Sequence, residues 1–376
     1  MTFESSGSGS IGSVGQKDLE THELKFDRGS IGGLIGLHIV NIIFMVLTLF
    51  AYRFWALTRV RRAIWPRMSL DGTPLEYTGT GLEIFLGFLK VFLLILLPYS
   101  ILSNWVQSHI IDPEIGFSFL FAFLSFLSVL GIAFLYAAAR YLAYRYRVNR
   151  TQWRGIRGSV GGAAYVYALK SLGCYFLVFI TFGIMKPWMD VKLLQYKLDH
   201  TKFGGQQFWF AGTTDLLWRP YLFFIFVNLI LLGPFIDIDG GKISFGFSLN
   251  FPSFGGSASI HWLSVGIIII GAICSALAYL NYQIQFWNRA ASRVTFGAAH
   301  FSFKPTLRQV LGLYIGNWLI TGLTFWILLP IAWLRKGAFV AQHLTITGNF
   351  NVGALVQAEF DTDSKGEGLL GDFDIA

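Results

Sequence analysis

Five polar or charged residues lie within strongly apolar stretches, and these are the residues whose chemistry most needs an explanation. They are Asn41, Asn317, Lys90, Lys170 and Glu83. A polar side chain surrounded by hydrocarbon is costly unless it is paired. Such residues therefore indicate either hydrogen bonds between helices or a site for an ion or solute.

Asn41 and Asn317 occupy equivalent positions, because each precedes a threonine by seven residues. Cys174 stands at the corresponding position of a third segment. As ligands beside interrupted helices, the two amides would suit a carrier. As packing groups, they would hydrogen-bond neighbouring helices. We favour the packing interpretation and expect both amides to face protein.

The charged residues have simpler interpretations than catalysis. Glu83 and Lys90 are seven residues apart and would share one helix face, about 10 Å apart. Lys170 lies one to two turns inside its segment. Long basic side chains reach the membrane surface while their stems stay in lipid. We therefore expect pairing or interfacial placement for all three residues.

The sequence contains none of the catalytic or metal-binding motifs that were sought. The seven histidines are scattered without a His-Glu-x-x-His pair, and there is no Gly-x-Ser-x-Gly elbow. The two cysteines have no zinc-ligand spacing. His200 and His343 recur at equivalent positions, which favours capping or packing. The prediction is a non-enzyme with no catalytic residue, no metal and no cofactor.

The composition is typical of a membrane protein. The chain is 54% hydrophobic and only 13% charged, against about 25% charged residues in soluble domains. Seven apolar segments are long enough, or nearly so, to cross about 30 Å of hydrocarbon. They are 34–52, 84–102, 117–139, 163–185, 219–236, 262–280 and 309–334. They lack the alternation of barrel strands, so the sequence predicts an all-α polytopic membrane protein.

Residues 41–81 and 174–214 are two copies of one module at an offset of 133. Trp55 and Arg59 match Trp188 and Lys192, and we expect these pairs to occupy equivalent interfacial sites. A shorter third copy follows 143 residues later. The predicted organisation is a polar, disordered segment 1–30, repeat units 31–162 and 163–307, a half repeat 308–358 and an acidic, disordered tail 359–376.

The basic residues leave two topologies open. The net charge of +8 comes from residues that cluster beside the apolar segments, which indicates cytoplasmic loops and anionic lipid headgroups rather than nucleic acid. Seven plain crossings would place two basic loops outside. Four full crossings with three re-entrant segments, 34–52, 163–185 and 309–334, would keep every basic loop inside. Length alone permits both.

The loop from Thr201 to Gly212 alternates aromatic and small residues and contains the Gly204-Gly205 pair, a pattern that predicts a β-hairpin. Residues 73–79 and 295–303 are its counterparts. We expect these hairpins to form a small cytoplasmic layer that joins the repeats. A glycine-rich loop can also bind phosphate, but the Walker pattern is absent.

Three stretches, ITFGIMKPWMDVKLLQY, HTKFGGQQFWFAGTTDLLW and LEYTGTGLEIFLG, resemble the YjgN-like bacterial inner-membrane proteins, a family with a domain of unknown function. The resemblance covers roughly residues 25–355. The first copy departs from the pattern, with Phe54 in place of Pro187 and Asp71-Gly72 in place of a Gly-Gly turn. The resemblance implies a multi-pass protein of the bacterial inner membrane and provides no active site.

Two functions remain open from the sequence. The first is a non-enzymatic membrane scaffold or partner subunit whose loops bind another membrane protein. The second is a carrier or channel for a small solute or lipid, built from two parallel repeats. A scaffold should have a seam filled with lipid or phenylalanine, whereas a carrier should have an aqueous path. The oligomeric state and the substrate are not predicted.

Overall fold

The computed structural model describes residues 21–110, 119–214, 216–232, 236–239, 242–245 and 262–348. The acidic tail 359–376 and most of the segment 1–30, both expected to be disordered, lie outside these ranges. Residues 21–30 are described, and part of this segment forms strands.

Helices form most of the described chain. They are α1 Ile31–Leu47, α2 Arg53–Ile64, α3 Gly81–Val91, α4 Leu97–Ile110, α5 Phe119–Asn149, α6 Ala164–Ile180, α7 Lys186–Asp199, α8 Trp218–Leu232, α9 Trp262–Ser292, α10 Leu307–Leu323 and α11 Leu329–His343. A π-helical segment, Phe92–Leu96, joins α3 to α4, and a 3-10 turn, Trp65–Arg67, follows α2.

The strands are short. They are β1 Thr21–His22, β2 Leu24–Phe26, β3 Met68–Leu70, β4 Thr73–Tyr77, β5 Thr151–Trp153, β6 Ile156–Val160, β7 Thr201–Phe203, β8 Gln206–Phe210, β9 Ile236–Asp239, β10 Lys242–Phe245, β11 Val294–Phe296, β12 Ala299–Phe303 and β13 Leu344–Thr347. Strands β9 and β10 form a separate hairpin. The other strands form one sheet.

This sheet is antiparallel and nearly closed into a ring. Its eleven strands follow the order β1-β13-β12-β11-β8-β7-β6-β5-β4-β3-β2. The two end strands, β1 and β2, are separated in sequence only by Glu23, and they pair with β13 and β3. A single segment therefore joins both edges, which removes the unpaired edges of an open sheet. The prediction of an all-α fold is wrong.

The sequence does not predict the sheet because each of its strands is short and has only a weak local strand pattern. The strands of this sheet have two to five residues, and each hairpin follows a different helix. Two of the turns use residues with positive φ at both central positions, Asp71-Gly72 and Arg154-Gly155. That geometry matches the twist of a two-residue hairpin. The ring forms only when hairpins from distant parts of the sequence pair with one another.

The inside of the ring is filled by apolar side chains. Hairpins from all parts of the chain contribute, and the members are Trp153, Phe296, Ala299 and Ile346, with Leu70, Leu75, Ile156, Phe203, Phe208 and Phe301 packed against them. Burying one such large side chain contributes about 1.5–3 kcal/mol. These strand residues therefore form a packed apolar core.

Three helix pairs, α1–α2, α6–α7 and α10–α11, turn back on themselves at a threonine. The Oγ1 atoms of Thr48, Thr181 and Thr324 each donate to the carbonyl four residues earlier, at 2.7, 2.7 and 2.5 Å. Each Oγ1 also accepts the backbone N–H four residues later, at 3.0, 3.2 and 3.3 Å. Both ends of each helical hairpin therefore lie at the sheet, and the turn lies away from it.

Two described helices are long and apolar enough to cross a membrane, Phe123–Asn149 and Ile269–Ser292. Only 11% and 28% of the residues in their apolar windows are buried. The helices Ile31–Leu47, Ala164–Ile180 and Trp218–Leu231 are apolar but shorter. The described residues therefore do not form seven segments of spanning length. The turns at Thr48, Thr181 and Thr324 interrupt three of the predicted segments, 34–52, 163–185 and 309–334.

Candidate functional site

Asn41 and Asn317 are both buried, 1% and 6% exposed, as expected from the sequence. Asn317 Nδ2 lies 3.5 Å from the carbonyl of Ala332 on the returning helix α11. Within the described ranges, the Oδ1 of Asn317 and both amide atoms of Asn41 have no hydrogen-bond partner. The two residues occupy equivalent places in separate helical hairpins. Their function stays a prediction.

His38, one turn before Asn41, links the first helical hairpin to the third. Its Nε2 lies 3.2 Å from the carbonyl of Trp326 in the α10–α11 turn, and its ring meets Trp333 edge to face at 5.4 Å. His38 is not among the residues that the sequence predicted for a site. Its helical spacing of three from Asn41 was the available signal, because that spacing places both residues on one face.

Glu83 belongs to a closed polar cluster at the junction of α3 and α5. Its carboxylate lies 3.1 Å from the Arg150 guanidinium and accepts a hydrogen bond from Tyr146 at 3.0 Å. Thr80 caps this helix by accepting the Glu83 N–H at 3.4 Å. One carboxylate oxygen, Oε2, therefore takes both the ion pair and the hydrogen bond.

The structure does not bring the two predicted intramembrane lysines to a shared site. Lys90 is exposed on α3. Lys170 is exposed on α6, with its Nζ 4.6 Å from the centre of the Tyr196 ring. This geometry is that of a cation–π contact. The interfacial placement expected for Lys170 stays a prediction.

The position equivalent to the Glu83 cluster in the second unit is a cavity of about 170 Å³. Leu216 stands six residues after β8, as Glu83 stands six residues after β4. Arg289 and Arg293 precede β11 by the same spacings as Tyr146 and Arg150 precede β5. Both arginines and Leu216 line the cavity. The sequence analysis did not select these residues as a site.

Arg289 lies at one side of the cavity. Its Nη2 donates to Gln285 at 3.3 Å, whereas its buried Nη1 has no acceptor among the residues that the structure describes. Arg293 is exposed at the cavity rim. The remaining lining is largely apolar and includes Phe210, Leu217 and Phe286. No carboxylate from the described residues lines this space.

A second polar cluster, which the sequence did not predict, joins α7 and α9 in the second unit. Lys186 Nζ pairs with Asp190 at 2.5 Å, and the fully buried Tyr282 donates to Asp190 at 2.8 Å. The side chains of Lys186 and Asp190 are 26% and 18% exposed. The spacing of four between Lys186 and Asp190 was the signal, because it joins opposite charges along a helix.

The predicted repeat pairs occupy equivalent places in equivalent helices. Trp55 and Trp188 are each the third residue of the returning helix, α2 and α7, at the end farther from the sheet. Arg59 and Lys192 follow on exposed surface. Trp55 packs so closely on Gly81 that a Cβ there would meet it at 2.8 Å.

The predicted loop residues act in helix ends and turns. His200 and His343 each place Nδ1 at 2.8 Å from the carbonyl four residues earlier, at the end of α7 and of α11. Thr201 is buried and bonded to Lys197 and Tyr144. Gly204 has a φ of +59° in the turn that it forms with Gly205. The two histidines and Thr201 therefore stabilise helix ends, and Gly204 forms a turn.

The part of the chain that the structure describes contains no group of three or more histidine, cysteine or acidic residues arranged to hold a metal ion. Cys174 and Cys274 are both free thiols. The candidate chemistry is therefore that of buried amides, an ion pair and an arginine-lined cavity.

Residues 21–372 match the model of a family described as "Bacterial protein of unknown function (DUF898)". The chain is also 30% identical over 124 residues to "Inner membrane protein YjgN" of Salmonella typhimurium (strain LT2). This alignment covers 32% of the chain and 30% of that protein, so it spans less than a third of the relative's length. No solved structure matches the chain.

Proposed function

We propose, from the premise that the chain belongs to the DUF898 family of bacterial proteins of unknown function, that it is a non-enzymatic scaffold of the bacterial inner membrane. In this proposal the helices anchor the protein in the bilayer. The ring of strands is a rigid platform at the cytoplasmic surface, where another membrane protein binds. The filled interior of the ring is the observation that carries the scaffold role.

Membrane placement is supported by the distribution of exposed apolar surface. The two long apolar helices are largely unburied. The turns of the three helical hairpins present Leu49, Phe182 and Phe325, which are 88%, 93% and 89% exposed. Apolar patches of this kind mark contact with a membrane or another protein. The partial relative is named as an inner membrane protein, which agrees with this placement.

The cytoplasmic position of the ring is supported by charge. Arginines and lysines are frequent in the parts of the helices and turns next to the sheet, including Arg61, Arg62, Arg67, Arg147, Arg150, Arg154, Lys197, Arg289 and Arg293. Basic residues next to apolar helices favour the cytoplasmic side and anionic headgroups. The ring would then lie against the inner surface of the membrane.

A platform role suits the two faces of the ring. The inward face holds the aromatic core. The outward face alternates with it and carries polar residues such as Lys202 and Gln207, together with Trp209, which is 63% exposed. An exposed tryptophan on a rigid polar surface is a common anchor of protein interfaces.

Site-specific photocrosslinking in cells tests this proposal. A photoreactive amino acid at Trp209 should give one membrane-protein adduct of constant mass. The matched position is Phe208, its inward neighbour in the ring core, which should give only internal crosslinks. Absence of any adduct at Trp209 and at other outward ring positions would contradict the scaffold role. Carbonate extraction should leave the protein in the membrane fraction; release would contradict the membrane placement independently.

A carrier or channel is the second candidate, and the unpartnered amide of Asn41 is the observation that favours it. A buried polar group without a partner costs about 1–3 kcal/mol, so a solute or ion could supply the missing bonds. Purified protein in sealed vesicles should remain impermeable to small solutes if the scaffold proposal holds. A saturable flux that Asn41→Ala abolishes in folded protein would instead establish the carrier.

A further inference from the structure

We infer that the cavity between α7, α9 and the segment that joins β8 to α8 binds a phosphate group, and that an anionic phospholipid headgroup is the ligand its walls suit best. The choice of a lipid rests on the proposed membrane placement, whereas the phosphate chemistry does not.

The two units differ in charge at this equivalent position. In the first unit, Glu83 pairs with Arg150 and accepts from Tyr146, so the cluster is neutralised within the chain. In the second unit, Leu216 takes the place of the carboxylate, and Arg289 takes the place of the tyrosine. Arg293 keeps the position of Arg150. The second position thus gains a positive charge and loses its carboxylate.

The geometry of Arg289 indicates where an anion would bind. Its Nη1 atom is buried with no acceptor in the described part of the chain, and Arg293 is at the rim of the same cavity. A buried guanidinium donor left unpaired is costly. Guanidinium groups bind phosphate through pairs of charge-assisted hydrogen bonds. An anion between the two arginines would satisfy the donor and offset the charge.

The remaining surface of the cavity favours a lipid over a small free anion. Phe210, Leu217 and Phe286 provide apolar walls next to the arginines. The volume of about 170 Å³ is several times the roughly 30 Å³ that a water molecule takes in the liquid. The cavity lies where the last turn of α9 reaches the sheet, which is the depth of the headgroups if the ring lies against the membrane.

Titration of the purified full-length chain in uncharged detergent tests the site. Binding of short-chain phosphatidylglycerol, followed by native mass spectrometry, should weaken at least about tenfold in the double variant Arg289→Gln/Arg293→Gln, which corresponds to about 1.4 kcal/mol. Arg308→Gln is the matched control, because Arg308 is also exposed near the sheet but outside the cavity. It should bind as the unaltered chain does.

A second variant guards against simple loss of folding. Leu216→Glu restores at this position the carboxylate that Glu83 provides in the first unit. It should abolish lipid binding while the unfolding temperature holds or rises. Equal phosphatidylglycerol binding by the unaltered chain, the double variant and Leu216→Glu would overturn the site.

Two further ligands separate the possible sources. Diacylglycerol with the same acyl chains lacks the phosphate and should not bind. Inorganic phosphate that binds as tightly as the lipid, with the same dependence on Arg289, would support the phosphate site and assign it to a free anion. That result could stand even if carbonate extraction removed the protein from the membrane, so the two proposals can fail separately.

Discussion

Asn41 shows at the residue scale how the structure changes the meaning of a polar side chain in an apolar helix. The sequence suggests a hydrogen bond between helices, but neither amide atom of Asn41 has a partner. Asn317, at the equivalent place, has one long bond to Ala332. The two residues therefore differ in hydrogen bonding although they correspond in position. Substitution separates the packing role from the ligand role.

We expect Asn41→Leu to keep or raise the thermal stability of the protein in detergent, by a gain on the order of 1 kcal/mol. The reason is that an unsatisfied buried amide costs about 1–3 kcal/mol, and leucine removes both polar atoms at similar size. Differential scanning calorimetry measures this change. A clear loss of stability would show that Asn41 has a bound partner, and Asn317→Leu serves as the comparison.

The ion pair of Lys186 and Asp190 gives a second prediction at this scale. Asp190→Asn should destabilise the fold by about 3 kcal/mol, since it leaves a partly buried lysine without its counterion. The double variant Lys186→Met/Asp190→Leu should recover most of that loss, because leucine already occupies the matching position, Leu57, in the first unit. Chemical denaturation of all three variants measures the coupling. Additive losses would refute the pairing.

The threonine turn is the repeated device at the scale of elements. In three hairpins one hydroxyl closes the end of the outgoing helix and accepts from the start of the returning one. The residues that follow have positive φ, namely Leu49, Phe50, Phe182, Gly183, Phe325 and Trp326. The turn therefore holds exposed apolar residues in strained backbone. This arrangement makes three apolar tips at the ends of short hairpins.

Thr181→Ala should lower stability by about 1 kcal/mol, because the Met185 N–H and the end of α6 each lose a hydrogen bond. Thr181→Ser retains the hydroxyl and should lose much less. Thermal unfolding of the two variants side by side tests the idea. Equal losses would mean that the methyl group of the threonine, rather than its hydroxyl, matters.

Ring closure is the feature that matters most at the scale of the whole molecule. Residues 21–26 pair with β13 on one side and β3 on the other. His22 strengthens this junction, with Nδ1 at 2.7 Å from Asp71 and Nε2 at 2.9 Å from the Gly348 carbonyl. The segment that looked like part of a polar tail therefore completes the sheet.

A chain truncated to begin at residue 27 should lose this closure and expose the edges of β13 and β3. Exposed edges invite pairing between molecules, so we expect oligomers in size-exclusion chromatography and faster amide exchange in both strands. A chain that begins at residue 20 keeps β1 and β2 and is the matched control. Identical exchange in the two chains would contradict a structural role for the closing strands.

Much of the helical part of the protein could be derived from the sequence, because apolar runs and a fixed repeat offset are local signals. The repeat alignment placed Trp55 with Trp188, and the equivalent helices α2 and α7 hold them at the same position. The match of His200 to His343 likewise identified two equivalent helix ends. The hairpin predicted within Thr201–Gly212 is β7–β8. The family resemblance is confirmed by the match over residues 21–372.

The fold class and the most informative sites were decided only in the tertiary structure. Strand pairing joins residues that are far apart, such as Thr21 and Thr347, and no local pattern records that contact. The arginine cavity depends on the same kind of information. No sequence motif marks Arg289. It becomes a candidate site because folding buries its Nη1 beside a cavity that Leu216 also lines, and the first unit has a carboxylate, Glu83, at the position of Leu216. Burial and partnership arise between elements, whereas composition and periodicity describe each element alone.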